Sequence, residues 1–315
     1  MADILFIKTS SLGDVVHHLP ALTEARRHLP DARFAWLVEE AFAPVVRLHP
    51  AVGEVMSVAS RRWRTALLKR DTLADVDAAI RAIRARRYDA VVDTQGLVRT
   101  ALMARLARGR RHGYGPRSIR EPLASLFYDV RHTVSRDLHA VERNRQLTGL
   151  ALGYTPQGAP DFGLERARFQ TAGPRSAVLL HATARPEKEW PEAHWIALGH
   201  ALARKGLEVV LPWGAEPERR RAERIAVALP QARVLDRQPL DSVARLIAGA
   251  ALVVGVDTGL LHLAAAFGVP LVAIFAGSRP HLTAPVGSGS MRVLGAYGAA
   301  PAVQEVEQAV EELRI

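Results

Sequence analysis

The chain has 315 residues, 49% of them hydrophobic, 23% charged and 6% aromatic, a composition that excludes disordered, collagen-like and coiled-coil classes. At about 150 residues per domain, this length predicts two domains, each large enough to close its own core. No cysteine is present, which excludes disulfides, thiolate zinc sites, iron–sulfur clusters and a cysteine nucleophile. The formal net charge of +10 is unevenly spread: residues 1–153 carry 25 Lys and Arg against 16 Asp and Glu, whereas residues 154–315 carry 17 against 16. The first half is therefore expected to meet something anionic, such as a phosphorylated substrate, a phospholipid surface or nucleic acid.

Residues 4–8 read as a strand, and such a short apolar stretch behind Asp3 belongs to the mature fold rather than to a secretory signal. Further strands are predicted over 34–38, 52–58 and 89–93, and an amphipathic helix over 73–87, where Leu73, Val76, Ile80 and Ile83 recur at helical spacing. Asp75-Val76-Asp77 matches the D-x-D pattern that holds a divalent cation in some glycosyltransferases, but it falls inside that helix and reads as helix surface. No metal site is expected. Glycines and prolines crowd residues 153–174 without periodicity, which predicts a domain over 1–153, a linker over 154–174 and a second domain over 175–315. The alternation then resumes: strands over 177–180, 207–211, 233–235, 253–256 and 271–275, with helices over 191–205 and 216–229. Residues 260–277 are about as long as a short membrane span, but His262, Gly268 and Pro270 interrupt them, so they read as helix, turn and buried strand. Val303, Val306, Val310 and Leu313 mark a last helix that could finish either half, packing back on the first domain included. Strands alternating with helices predict an α/β protein with two doubly wound halves, whose ligands bind beyond the carboxyl ends of the strands and in the cleft between the halves.

Four strand-to-helix loops could carry chemistry. In Lys8-Thr9-Ser10-Ser11-Leu12-Gly13-Asp14, Asp14 is either a first-turn acid stabilising its helix or a general base for an attacking hydroxyl. No G-x-G-x-x-G follows this strand, so dinucleotide binding has no support. Asp257-Thr258-Gly259-Leu260-Leu261-His262 ends a strand as a helix begins; its amides suit a pyrophosphate and Asp257 suits sugar hydroxyls, with a capping acid and a core histidine as the alternative. Thr183 and Lys188 lie in the loop after residues 177–180, where a lysine could neutralise a departing phosphate or simply be solvated, and Glu216 could hold ribose hydroxyls or act as a first-turn acid. Arg61, Arg62 and Arg64, with Arg120 in Ser118-Ile119-Arg120-Glu121-Pro122, form either an anion-binding cluster or a solvated face. No motif that reads nucleic acid is present.

The opening Ile4-Leu5-Phe6-Ile7-Lys8-Thr9-Ser10-Ser11-Leu12-Gly13-Asp14-Val15-Val16-His17, the Val256-Asp257-Thr258-Gly259-Leu260 turn with His262, and Lys188 with Trp190-Pro191 closely resemble the lipopolysaccharide heptosyltransferases. Lys8-Thr9-Ser10-Ser11, Arg61-Arg62-Trp63-Arg64 and Ser118 to Pro122 resemble the branch that adds the first inner-core heptose. The resemblance implies a GT-B fold, with the acceptor on the N-terminal Rossmann-like domain and the nucleotide sugar on the C-terminal one. It implies inverting, metal-independent transfer of L-glycero-D-manno-heptose from ADP-heptose to a 3-deoxy-manno-octulosonic acid (Kdo) residue of lipid A, with no cofactor. By resemblance, Asp14 is the general base, and Lys188 with Thr258, Gly259 and Leu260 contacts phosphate. Thr183, Glu216, Asp257 and His262 match other donor positions, and Arg61, Arg62, Arg64 and Arg120 match the acceptor cluster. The alternatives are a later heptosyltransferase acting on an already heptosylated core, a non-catalytic sugar-nucleotide binder and a GT-B epimerase. Ala276-Gly277-Ser278-Arg279-Pro280 replaces the family's Gly-Pro-Thr-Asp-Pro stretch, and Gln238 stands where an apolar neighbour of adenine is expected. The expected location is cytoplasmic, with peripheral contact at the anionic cytoplasmic face of the inner membrane.

Overall fold

The computed structural model describes residues 1–66, 69–169, 174–183, 185–229, 231–277 and 280–315. Residues 170–173 of the expected linker, and Ser278 and Arg279 of the divergent stretch, lie outside the described residues. The chain divides into two compact units, Met1–Gly163 and Leu164–Ile315.

The first unit is a six-stranded parallel sheet of β1 (Asp3–Ile7), β2 (Arg33–Glu39), β3 (Glu54–Val58), β4 (Arg87–Asp93), β5 (Arg108–Tyr114) and β6 (Val130–His132), in the order β3-β2-β1-β4-β5-β6. The apolar runs of β1, β2 and β4 are buried on both faces, as a parallel sheet covered by helices requires. Leu5, Ile7, Leu37 and Val91 pack with Ile83 of the helix Arg70–Arg84. That helix stops short of the expected residue 87, because Arg87 and Tyr88 pair with β5 as part of β4, and Tyr88 is buried. On its exposed side, Asp75 pairs with Arg62 at 2.7 Å and Asp77 with Arg81 at 2.6 Å, so the D-x-D motif is an ion-paired helix surface. Strand order reverses between β1 and β4, and the loops after these two strands therefore flank the crevice where doubly wound sheets bind ligands.

The segment expected to open the linker instead completes this unit. Buried Arg145, on the helix Ala140–Leu152, pairs with Glu24 at 2.7 Å and donates to the carbonyls of Gln157 and Gly158 at 2.9 and 3.0 Å. The Gln157 N–H donates to Glu24, Tyr154 stacks on His28, and Asp161 pairs with Arg27.

The second unit holds β7 (Ser176–Leu180), β8 (Glu208–Leu211), β9 (Arg233–Val234), β10 (Leu252–Val256), β11 (Leu271–Phe275) and β12 (Met291–Gly295), in the order β12-β11-β10-β7-β8-β9, again all parallel. Its reversal falls between β7 and β10. These two strands lie close at Gly255, where a Cβ would stand 2.8 Å from Cβ of Leu180. The last helix, Val303–Glu312, inserts Val306, Ala309 and Val310 into this unit's core beside Leu198 and Leu202 of the helix Glu192–Arg204. Residues 260–277 form most of the helix Gly259–Ala266, a turn and β11. Among the described residues, no helix is long and apolar enough to cross a membrane.

Candidate active site

At the carboxyl end of β1, Asp14 sits in the first turn of the short helix Leu12–Val16. One of its carboxylate oxygens accepts from the Ser11 N–H at 2.8 Å and the Ser11 hydroxyl at 3.0 Å, while the side chain remains 42% exposed. The other oxygen lies 4.0 Å from Nζ of Lys8. Lys8 is buried beneath the loop, where its ammonium donates to the Thr94 carbonyl at 2.9 Å and to Oδ1 of Asn144 at 3.5 Å. Burial lowers the Lys8 pKa, and the carboxylates of Asp14 and Asp93 oppose that shift. The end of β4 braces the same loop. Buried Asp93 accepts from the N–H groups of Gln95 and Gly96 and from the Tyr128 hydroxyl, and the Gln95 side-chain oxygen accepts from the N–H groups of Thr9 and Ser10, both at 3.1 Å. Gly96 has φ +70°, and a Cβ there would stand 2.9 Å from Ile119, so only glycine fits this turn. The arrangement holds a carboxylate in fixed orientation, open to solvent on one side and backed by a buried cation, which is what a general base for a hydroxyl proton requires.

Arg61, Arg62 and Arg64 lie on the helix Ser60–Thr65, which follows β3, whereas Arg120 follows β5. All four are exposed. Arg62 is engaged by Glu40 at 3.3 Å and Asp75 at 2.7 Å, and the Arg61 guanidinium stands over the Phe42 ring. Buried Glu39 anchors this helix, accepting from the Ser60 hydroxyl at 2.5 Å and the Arg61 N–H at 3.1 Å. The Glu39 N–H in turn donates to the Thr9 carbonyl of the Asp14 loop.

In the second unit, the loops after β7 and β10 converge. Lys188, closing the 3₁₀ turn Pro186–Lys188, pairs with Asp257 at 2.5 Å, and both side chains are at most 15% exposed. Nε2 of His262 stands 3.7 Å from the other Asp257 oxygen, and the Thr183 hydroxyl donates to the Asp257 carbonyl at 3.2 Å. Thr258 precedes the helix Gly259–Ala266, whose first residues are Gly259 and Leu260. A lysine, a threonine and helix amides at one crossover suit a diphosphate. Glu216 opens the helix Glu216–Val227 after β8, where it is exposed and lies 3.8 Å from Arg219 and 3.6 Å from Arg220. The acid that closes this turn is Glu218, which accepts from the N–H groups of Gly214 at 2.7 Å and Ala215 at 3.1 Å. Gln238 is exposed. Among the described residues, no group of three or more His, Asp or Glu is placed to hold a metal ion.

Lys8, Gln95, Asp93 and Glu39 carry no sequence signal that places them at the site. Each acts through a partner distant in the chain, and only the polar stretch Asp93-Thr94-Gln95-Gly96 after β4 could have signalled the brace.

The profile of glycosyltransferase family 9 (heptosyltransferase) matches residues 76–311. Lipopolysaccharide heptosyltransferase 1 of Escherichia coli K12 is 45% identical over 293 residues, covering 91% of this chain and 92% of that protein. The protein of the same name from Pseudomonas aeruginosa PAO1 is 42% identical over 306 residues, covering 96% of this chain and 86% of that one. The solved structure of E. coli heptosyltransferase WaaC with ADP superposes with a TM-score of 0.93 at 43% identity, covering 99% of each chain. That of WaaC with ADP-2-deoxy-2-fluoro heptose gives 0.89 at 43% identity, covering 98% of this chain and 99% of that one. With two six-stranded parallel Rossmann-like units of GT-B type and this identity across most of its length, the chain belongs to glycosyltransferase family 9, the heptosyltransferases.

Proposed function

We propose that the protein transfers L-glycero-D-manno-heptose from ADP-heptose to a Kdo residue of lipid A, with inversion at the anomeric carbon and without a metal. The observation that carries this reading is the Asp14 carboxylate, oriented by Ser11 and backed by Lys8 at the crossover of β1 and β4. A Kdo hydroxyl oxygen attacks the anomeric carbon, its proton passes to Asp14, and the bond from that carbon to the diphosphate oxygen breaks with its electron pair leaving on ADP. Lys188 and the amides opening the helix Gly259–Ala266 stabilise the departing diphosphate, and Thr183, Asp257, His262 and Glu216 bind the rest of the donor. Arg61, Arg62, Arg64 and Arg120 bind the carboxylate and phosphates of the acceptor, in keeping with the charge of the first half. Such an acceptor places the enzyme in the cytoplasm, in peripheral contact with the inner membrane.

The relatives' names and the ADP-heptose analogue bound to WaaC support the donor and the pathway. The test is mass spectrometry of Kdo-lipid A incubated with ADP-heptose and EDTA. The wild-type protein is expected to add one heptose, and Asp14→Ala to lose about 10²- to 10⁴-fold in kcat while still binding ADP-heptose. Transfer only to an already heptosylated acceptor would reassign the step, and transfer abolished by EDTA would overturn the metal-free reading.

A further inference from the structure

The 3₁₀ run Pro122–Phe127 carries two leucines that its own unit leaves uncovered. Leu123 is 67% exposed and Leu126 65% exposed, whereas Ala124 and Ser125 between them are buried. A 3₁₀ helix has three residues per turn, so side chains at i and i+3 eclipse, and the two leucines stand one above the other on the outward face. The run packs against the helix Val98–Leu106, whose Leu102 is a further 48% exposed.

The surroundings identify what covers this ridge. Residues 97–136 hold nine arginines and two acids. Both acids are already engaged: Glu121 accepts from the Val98 N–H at 2.7 Å, and Asp129 pairs with Arg111. Arg117 and Arg120, in the loop entering the run, and Arg131, in β6 beyond it, are exposed and form no ion pair among the described residues. Exposed leucines rimmed by arginines match a surface that is apolar below and anionic above, which is a bilayer with acidic headgroups. A protein partner would need a matching acidic rim, whereas the bilayer supplies both chemistries at once.

The ridge is also coupled to the Asp14 loop. Glu121 ties the run to the start of the helix Val98–Leu106, and Arg99 in that helix donates to the Ser10 hydroxyl at 2.6 Å, one residue before the Ser11 that orients Asp14. We infer that Leu123 and Leu126, with Arg117, Arg120 and Arg131, dock the first unit on an anionic phospholipid surface and so present the Asp14 loop to an acceptor embedded there. The orientation toward an acceptor rests on the reading above; the docking itself is measured without donor or acceptor.

The experiment is sedimentation of the full chain with vesicles of phosphatidylcholine alone and of phosphatidylcholine with 30 mol% phosphatidylglycerol. Wild type is expected to partition at least tenfold more strongly into the anionic vesicles, and 0.5 M NaCl to weaken that binding. Leu123→Ser/Leu126→Ser should lose at least tenfold of the partitioning yet keep the wild-type transfer rate on a delipidated, water-soluble acceptor, which also shows that it folds. Leu150→Ser, at another exposed leucine on the helix Ala140–Leu152, should bind vesicles as wild type does. Equal partitioning of wild type into both vesicle types, or wild-type binding by the double variant, overturns the inference. Failure of wild type to transfer heptose would overturn the reaction and leave the vesicle result standing.

Discussion

Lys8 has exchanged water for one backbone carbonyl, one amide oxygen and the field of two carboxylates. Holding an ammonium there is unfavourable unless the negative charge it faces is useful, and Asp14 Oδ1 at 4.0 Å is the more exposed of its two acidic neighbours. Lys8→Met keeps the volume and removes the charge. It is expected to reduce kcat at least tenfold with the donor KM unchanged, because the ammonium no longer backs the Asp14 carboxylate. Steady-state rates decide it, since a lysine that only fills the space beneath the loop would leave kcat close to that of wild type. Asp14 itself was legible as a polar residue where an apolar strand meets a helix. Lys8 was not, because a lysine ending a strand reads as solvated until Asn144, far along the chain, closes over it.

Among the elements, the helix Ser60–Thr65 depends most on a residue outside itself. Its arginines oppose one another, and Glu39 answers the donors of its first turn. Glu39→Ala should cost this helix about 1 kcal/mol of order. Converted at roughly 1.4 kcal/mol per factor of ten, that is about a fivefold rise in acceptor KM with donor KM unmoved. A charge effect alone would act in the opposite sense, since deleting an acid makes the surface more attractive to an anionic acceptor, so the direction of the KM change separates the two. The arginine cluster could be read from composition, but its anchor could not. For the same reason β5 has no periodic signal: Arg108 to Tyr114 contains no apolar alternation, and the strand exists because β4 pairs with it and Tyr128 packs on Gly113, where a Cβ would stand 2.3 Å from the ring. β1, β2, β4, β7, β10 and β11, buried as they are, carried their own signal.

Across the whole molecule, each unit stakes part of its stability on a neutral histidine. In the first unit, Nδ1 of His49 accepts from the Ala51 N–H at 3.1 Å, so the neutral ring donates from Nε2 to the Thr23 hydroxyl at 2.9 Å, and burial lowers its pKa to about 4. In the second, burial, with Arg221 adding to it, lowers His181 to about 4. The unfolded chain takes up these protons near pH 6.5 while the folded units refuse them until about pH 4, so stability is full above pH 6.5 and declines as pH falls through that window. At pH 5 the loss is about 2 kcal/mol per histidine, and scanning calorimetry at pH 7.5 and 5 should show the second unit's Tm lower by roughly 4–8 °C at the acidic value. The first unit should respond more strongly, because burial also lowers the pKa of His18, His112 and His132, and His49→Gln should reduce that response without abolishing it. The two-unit architecture was readable from the alternation of strands and helices, but the boundary was not, because Tyr154, Gln157 and Asp161 find their partners on Arg145, Glu24, His28 and Arg27, which no local pattern announces.

That boundary has a genetic meaning. The chain passes from one unit to the other once, between Gly163 and Leu164, and no helix or strand spans the passage. A gene interrupted at this codon encodes two polypeptides that each keep an entire sheet, and the last helix, being committed to the second sheet, travels with it. The Gly163–Leu164 peptide bond is therefore the natural seam at which to divide the reading frame, since a cut there leaves both sheets whole.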